Sequence, residues 1–109
     1  MEPGNGELLL ITTLDSEESA TGFARGLIES RLAACATVLP GGRSFYRWGD
    51  DTVRDDPEVV VLIKTHRSKL SEIERYFREY HPYDCPELIG LDLSAISPAY
   101  RDWLQRELM

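Results

Sequence analysis

The chain has 109 residues, of which 42% are apolar and 28% charged, and its net charge is −7. This length suits one domain with its own hydrophobic core, and the composition differs from that of a disordered chain. The excess of acidic residues, 19 against 12 basic ones, disfavours nucleic-acid binding, which depends on Lys and Arg neutralising phosphates. No apolar run reaches the roughly 20 residues of a membrane span, so no membrane partner is expected.

The N-terminus and the two cysteines give further bounds. Met1–Gly6 lacks the basic and apolar regions of a signal peptide, and we predict a short flexible lead-in to a single domain over residues 7–109. Cys35 and Cys85 are far apart and form no Cys-x-x-Cys pattern. We therefore expect reduced thiols in a cytoplasmic protein, without a disulfide framework or a zinc ribbon.

The first elements predicted are a strand and a helix. Glu7–Thr13 is a short β-prone run, and Asp15, with Glu18 three residues later, is placed to cap the helix that follows. Gly22 and Gly26 weaken this helix, but their spacing would let a strand backbone approach closely. The apolar residues recur at spacings of three and four and predict one buried stripe, formed by Ala20, Phe23, Ala24, Leu27, Ile28 and Leu32.

A long second strand is predicted from Cys35 to Trp48. Pro40-Gly41-Gly42 lies in its middle, and proline cannot donate a hydrogen bond to a central ladder. We therefore expect a bend or bulge there and a position at the edge of the sheet. Gly49-Asp50-Asp51 suits a turn. The run Asp50–Glu58 has five acids and one base and is predicted to be a solvated loop, with weak binding of hard cations as the alternative.

The second half of the chain predicts strand, helix, strand and helix. Val59–Ile63 is an unbroken apolar run, typical of a strand covered on both faces. A helix from about Ser68 to Tyr80 is ended by His81-Pro82, because residues before proline leave the helical region. Its inward side is predicted to consist of Leu70, Ile73, Phe77 and Tyr80. The last two elements are a strand over Leu88–Leu93 and a helix opened by Ser97-Pro98.

This order, β-α-β-β-α-β with a trailing helix, predicts the ferredoxin-like α+β fold with an antiparallel sheet. Proteins of this fold have several different functions, and each function requires particular residues at particular positions. The third strand has no aromatic residue on which a base could stack, which disfavours an RNA-recognition domain. Acidic residues follow the first strand where an acylphosphatase would need a phosphate loop and a copper chaperone a Cys-x-x-Cys. No nucleophile–base pair is visible, so an enzyme is not predicted.

The segment His81–Glu87 holds the side chains most suited to binding a metal. It combines an imidazole, a thiol and two carboxylates, and its prolines stiffen the backbone that holds them. We predict His81, Cys85 and Glu87 as ligands of a divalent metal ion. Structural roles are the alternative: the histidine would cap the last carbonyls of its helix, and the cysteine would be a small buried hydrophobe.

Several motifs in one order resemble the CutA family of divalent-cation tolerance proteins, over about Leu8 to Leu108. They are Arg31–Cys35, Pro40-Gly41, Ser44–Tyr46 with Trp48, Leu62–Thr65, His81–Tyr83 with Pro86-Glu87, and Pro98–Tyr100 before Trp103-Leu104. The resemblance implies a compact homotrimer of ferredoxin-like subunits, similar in architecture to PII signalling proteins. It also implies a role in tolerance of copper and other divalent ions, without enzymatic activity.

The resemblance implies a copper site that this chain only partly retains. Family members proposed to bind copper have a thiol at the end of strand one and two adjacent histidines before the proline. Here Thr12 replaces the thiol and Tyr80 the first histidine, while Cys85 supplies a thiol elsewhere. A hydroxyl is a poor copper ligand. We therefore expect His81 to be the chief ligand and Cu²⁺ to be bound weakly.

The sequence leaves two hypotheses open about how subunits assemble and what the assembly does. Phe45, Tyr46 and Trp48 lie on the predicted edge strand, and an exposed edge is covered when subunits join in a closed trimer. We predict the trimer interface there. The alternative is a PII-like regulatory trimer whose inter-subunit clefts, lined by Lys64, Tyr83 and Trp48, hold a small anionic ligand or a protein partner.

Overall fold

The computed structural model describes residues 1–109 and contains six strands and three α-helices. In chain order these are β1 (Glu2–Pro3), β2 (Glu7–Leu14), α1 (Glu17–Glu29), β3 (Cys35–Arg47), β4 (Val53–His66), α2 (Leu70–Tyr80), β5 (Ile89–Asp92), β6 (Ala95–Ile96) and α3 (Pro98–Glu107). The main sheet is antiparallel with the spatial order β3-β4-β2-β5, and β1 pairs with β6 beside it. The predicted ferredoxin-like element order is therefore present. No helix is both long and apolar enough to cross a membrane.

The hydrophobic core lies on one face of the main sheet. Alternate residues of β2 and β4, among them Leu10 and Val61, are buried against Phe23 of α1 and Phe77 of α2. The other face has little helical cover, and the apolar side chains that point to it are half-buried or exposed. The prediction that Val59–Ile63 is covered on both faces is thus wrong for a single chain, because this strand alternates between buried and half-buried residues.

Beyond the end of β2, β3 and β4 continue as a two-stranded hairpin arm, residues 42–58. The ladder runs from Cys35 opposite Lys64 to Arg47 opposite Val53, with an irregularity between Leu39 and Gly42. The predicted bulge and edge position of β3 are confirmed. The prediction of a solvated loop over Asp50–Glu58 is wrong for residues 53–58, because β3 supplies a strand with which they pair. The arm gives the molecule its long dimension of 46 Å.

Helix boundaries follow the predicted capping chemistry with small shifts. Ser16 rather than Asp15 caps α1, its Oγ accepting the Ser19 N–H at 3.1 Å, and Ser97 caps α3 as predicted. Two residues predicted to point inward are exposed instead. Tyr80 is 62% exposed at the last position of α2, where the core ends, and Ile28 lies at the edge of the buried stripe of α1.

The N-terminal segment makes defined contacts where the sequence predicted a flexible lead-in. Glu2 pairs with Ile96 in the small sheet, and the Arg101 guanidinium donates hydrogen bonds to the Glu2 carboxylate and to the Pro3 carbonyl. The same guanidinium donates from Nε to Glu7 Oε1 at 3.3 Å. Glu7 is buried, and its Oε2 has no hydrogen-bond partner. A charged group of α3 therefore fixes residues 2–7 against the sheet.

Candidate functional site

A cavity of about 620 Å³ lies between the hairpin arm and residues 81–88, the loop that connects α2 to β5; we call it the arm cavity. Thr13, at the end of β2, lies between these two walls. Six residues that the sequence predicted for three different sites meet here: Phe45, Tyr46, Trp48, Tyr83, Cys85 and Glu87. They are far apart in sequence, and the cavity exists because the arm extends past β2 and faces the loop.

Two tyrosines on the cavity wall are held as hydrogen-bond donors. The Tyr83 hydroxyl donates to Glu58 Oε2 at 2.8 Å, and the Tyr46 hydroxyl donates to Asp56 Oδ2 at 2.6 Å. Burial raises the pKa of Tyr83 far above its usual range, and the bond to Glu58 raises it further. The bond to Asp56 raises the pKa of Tyr46. Both phenols are therefore neutral at physiological pH. Glu58 accepts the Tyr83 hydroxyl with Oε2, so its other oxygen takes no part in that hydrogen bond.

The imidazole of His81 is engaged on both nitrogens. The ring is 7% exposed and packs edge-on against Phe23 and stacked on Phe77. Nε2 lies 3.0 Å from the Thr13 carbonyl oxygen, and Nδ1 accepts the Tyr83 N–H at 3.2 Å. Nε2 therefore bears the proton in the neutral ring, and burial lowers the pKa of His81. His81 is the C-cap residue of α2 through its backbone N–H, which donates to the Phe77 carbonyl at 3.0 Å, but its ring donates to a carbonyl of β2 and not to one of α2.

The three predicted metal ligands do not converge in the single chain. Cys85 and Glu87 line the arm cavity, whereas His81 lines a second cavity of about 570 Å³ between α2 and the loop. No three His, Cys, Asp or Glu side chains are arranged to hold a metal ion. Metal binding by these residues stays a prediction. The alternative of a buried Cys85 is wrong, because the loop leaves this thiol exposed. Cys35 is half-buried, and both cysteines are free thiols.

Lys64 lies apart from the arm cavity. Its ammonium group is 5.8 Å from the centre of the Tyr100 ring of α3, and it does not line the cavity. In the single chain it therefore does not share a cleft with Tyr83 and Trp48. The register explains this separation, because Lys64 pairs with Leu9 near the opposite end of β2 from Thr13.

Three charged residues of the cavity, Arg47, Glu58 and Asp84, were missed as site residues. Glu58 was assigned to an acidic loop, and Arg47 and Asp84 were not assigned to any site. The sequence held one signal for Glu58, which directly precedes the apolar run of β4 and so lies within reach of a strand. Its pairing with Tyr83 joins residues 25 positions apart and depends on the tertiary fold.

The fold and the cavity together define a small ferredoxin-like α+β protein with an extended edge hairpin and a ligand-sized cavity beside it. The family model "CutA1 divalent ion tolerance protein" matches residues 8–107. The chain belongs to this family. The family assignment made from the sequence motifs is therefore confirmed.

Relatives of known name and structure agree with this assignment. The chain is 36% identical over 99 residues to the divalent-cation tolerance protein CutA of Thermus thermophilus, covering 91% of this chain and 95% of that protein. It is 37% identical over 101 residues to the protein of the same name from Pectobacterium atrosepticum, covering 93% and 91%. The structure of CutA from Synechococcus elongatus superposes with a TM-score of 0.94 at 33% identity, covering 99% of this chain and 95% of that one. The predicted fold class is thereby confirmed.

Proposed function

We propose that this chain acts in tolerance of divalent metal ions as a homotrimer that binds copper weakly and catalyses no reaction. The family match over residues 8–107 is the observation that supports the tolerance role. The exposed Cys85 thiol, beside Glu87 in an open cavity, supports the metal binding. A thiolate suits copper better than the Thr12 hydroxyl does, because thiolates are softer donors.

Weak binding follows from the hydrogen bonds of His81. To ligate a metal through Nδ1, the ring has to release the Tyr83 N–H, and to ligate through Nε2 it has to lose its proton and its bond to Thr13. Leaving a buried donor or acceptor without a partner costs about 1–3 kcal/mol. This lowers affinity roughly 5- to 150-fold relative to a free imidazole. Cys85 and Glu87 are accessible without such a loss.

Anaerobic equilibrium dialysis with copper, followed by metal analysis of the protein, tests the metal site. Cys85→Ser is expected to lose most of the bound copper. Cys35→Ser, which removes the other thiol outside the arm cavity, is the matched control and should retain it. Binding should weaken as the pH falls, since protons compete with the metal ion for the imidazole and the thiol. Equal copper content in Cys85→Ser and the wild type would rule out this site.

The homotrimer is supported by surfaces that a single chain leaves uncovered. Ile89 and Leu91 of β5 and Phe45 of the hairpin arm are exposed apolar side chains. Patches of this kind usually mark sites of association, and closed symmetry prevents the growth of filaments. Covering the open face of the main sheet would also bury the second side of β4, as its apolar sequence predicts.

A regulatory trimer that binds a small ligand is the second candidate function. The arm cavity favours it, because its volume of about 620 Å³ lies in the range of small-molecule sites and its wall mixes aromatic and polar groups. Trp48 and Tyr83, two residues predicted for such a cleft, both line it. The sequence predicts a small anion or a protein partner as the ligand, held at a cleft between subunits to which Lys64 contributes.

A further inference from the structure

The first residue of β2, Glu7, has a buried carboxylate that is only half satisfied. Its Oε1 accepts the Asn5 N–H at 3.0 Å and the Arg101 Nε–H at 3.3 Å. Its Oε2 is also buried but has no hydrogen-bond partner. Buried polar atoms without a partner are rare in folded proteins, and an ion or water molecule that completes them is a common reason for them. The Oε2 atom therefore marks a place where a further group can bind.

A second donor, His66, lies next to this oxygen. His66 is directly opposite Glu7 in the ladder between β2 and β4, and residues in such pairs project to the same face of the sheet. Its Nε2 is 3.9 Å from Glu7 Oε2 and 2.9 Å from the Asn5 carbonyl oxygen. A Cβ at Gly6 would lie 2.6 Å from this nitrogen, so glycine leaves the ring its room. An imidazole nitrogen, a carboxylate oxygen and a carbonyl oxygen therefore converge.

We propose that Glu7 Oε2, His66 Nε2 and the Asn5 carbonyl oxygen bind one divalent transition-metal ion of the class of Zn²⁺. Zinc bonds of about 2.0–2.2 Å to nitrogen and oxygen let one ion bridge atoms up to about 4.2 Å apart. The observed 3.9 Å lies within this reach, and a shift of the ring by about half an ångström gives tetrahedral angles. A water molecule completes the four ligands. With only two side-chain ligands, the site is weaker than a structural zinc site.

The site is separate from the proposed copper ligands and does not rest on the proposed function. It has no thiol, and Glu7 begins β2, whereas Thr13, beside the arm cavity, lies near the end of that strand. Every group involved belongs to one chain, and the Glu7 side chain is already fully buried within that chain. The side chain of His66 is 28% exposed and gives a metal ion a route to the site.

The ring of His66 can release Nε2 for a metal ion by changing its tautomer. Its Nδ1 accepts the Ser68 N–H at 3.0 Å, so the proton is on Nε2 and is donated to Asn5. When a metal ion binds, this proton moves to Nδ1 and is donated to the Ser68 hydroxyl oxygen, 3.0 Å away. Metal-ligating histidines usually donate their other ring N–H in this way. The Ser68 N–H is exposed, so water replaces its lost acceptor. The buried partners of His81 have no such replacement.

The charges around the site favour a cation. Arg101 is shared between two carboxylates, because it donates to Glu7 Oε1 and also to Glu2. The nearby Arg67 is paired with Asp92. Two carboxylates therefore face one guanidinium in this group, and the unpartnered oxygen of Glu7 points away from the Arg101 hydrogen bond. A divalent ion meets a net negative charge here.

Isothermal titration calorimetry of the full-length protein with Zn²⁺ tests the proposal. The titration uses the Cys35→Ser/Cys85→Ser double variant, so that no thiol competes for zinc. Binding should saturate at one zinc ion per chain. The absence of saturable zinc binding in this double variant would overturn the proposal. Retention of zinc together with loss of copper in Cys85→Ser would show that the two metal sites are independent.

Matched variants in the same background locate the zinc site. Glu7→Gln keeps one oxygen acceptor and replaces Oε2 by an amide nitrogen, which does not ligate. His66→Asn removes the imidazole and keeps a side chain suited to cap the following turn. Each should weaken zinc binding at least about tenfold, since losing even a group that only supports a ligand costs about 10–100-fold. Glu72→Gln on α2 is the control and should bind zinc as before.

Hydrogen exchange of residues 2–7 gives a second readout. Because the Asn5 carbonyl is a ligand, zinc should slow amide exchange in this segment, and the effect should disappear in His66→Asn. If Glu7→Gln does not fold, His66→Asn alone decides. Unchanged zinc affinity in His66→Asn, or loss of zinc in His81→Gln with retention in His66→Asn, would overturn the assignment to this site.

Discussion

At the scale of single residues, His81 connects β2, α2 and the 81–88 loop, and its Nε2 also lies 3.2 Å from the Thr12 hydroxyl. Its Nε2–H donates to the Thr13 carbonyl, its Nδ1 accepts from the Tyr83 N–H, and its ring packs on Phe77. The neutral ring fits all three, whereas a protonated ring loses the acceptor. The ring of His81 therefore has a structural role in this fold and is not free to bind a ligand without losing one of these interactions.

Acidification should destabilise the protein through His81. Burial lowers the pKa of His81 in the folded state, so the unfolded chain takes up a proton first as the pH falls below about 6.5. The free energy of unfolding is therefore unaffected by this group above that pH and decreases below it. Urea unfolding at pH 7.5 and 5.5 should show a larger loss for the wild type than for His81→Gln. An equal loss in both proteins would contradict this prediction.

Removing Arg101, the charge partner of Glu7, should lower the stability of the folded protein. The Glu7 side chain is fully buried, and Arg101 is the cation that bonds to it. Arg101→Met should lower the free energy of unfolding by about 3–5 kcal/mol, because it leaves the buried Glu7 side chain with the Asn5 N–H as its one hydrogen-bond donor. The double variant Glu7→Gln with Arg101→Met should recover part of the loss.

An exposed ion pair supplies the control for this prediction. Arg31 pairs with Glu107 at 3.7 Å, and both side chains are about half exposed. Arg31→Met should cost at most about 1 kcal/mol, since water and salt screen such pairs. Chemical unfolding should be measured at one protein concentration for all variants, because association shifts apparent stability. Similar losses in Arg31→Met and Arg101→Met would show that Glu7 is not held by its charge partner.

At the scale of elements, the two glycines of α1 have different surroundings. A Cβ at Gly22 would meet nothing within 4 Å, whereas a Cβ at Gly26 would lie 2.1 Å from the Tyr76 hydroxyl oxygen. The close approach at Gly26 is thus to a side chain of α2, and the predicted approach of a strand backbone is wrong. That hydroxyl donates to the Phe23 carbonyl at 2.9 Å.

Alanine at these two positions should have opposite effects. Gly22→Ala should raise the free energy of unfolding by about 0.5–1 kcal/mol, because alanine favours the helix without meeting a neighbour. Gly26→Ala should lower it, because the Tyr76 hydroxyl has to move and lose its bond to Phe23. Thermal unfolding of the two variants side by side measures the difference. A stabilising effect of both would show that Tyr76 moves away freely.

At the scale of the whole molecule, the proposed trimer would explain both the hairpin arm and the uncovered face of the main sheet. Light scattering at micromolar concentration should give three times the chain mass of 12.4 kDa. Phe45→Lys should reduce this mass, because it places a charge in the proposed interface. Tyr80→Lys changes an equally exposed aromatic residue on α2 and should leave the mass unaltered. A monomer mass for the wild type would contradict the trimer.

The sequence predicted the elements well where local chemistry decides them. Ser97-Pro98 begins a helix, Pro40-Gly41-Gly42 interrupts an edge strand, and the periodicity of α1 identified Leu27 as buried, because each of these depends on neighbours along the chain. The acidic residues 53–58 were misassigned as a loop, because a strand of poor intrinsic propensity forms when a partner strand is available.

By itself the sequence determined the family, the fold class and the order of the elements, because motif order and hydrophobic period are properties of the chain. Only the tertiary structure decided which functional groups meet. His81 and Cys85 line different cavities, Tyr83 bonds to Glu58, and Glu7 is buried beside Arg101. Each of these arrangements depends on distances between residues far apart in sequence. Those distances follow from strand register and from the length of the hairpin arm beyond β2, which no local pattern encodes.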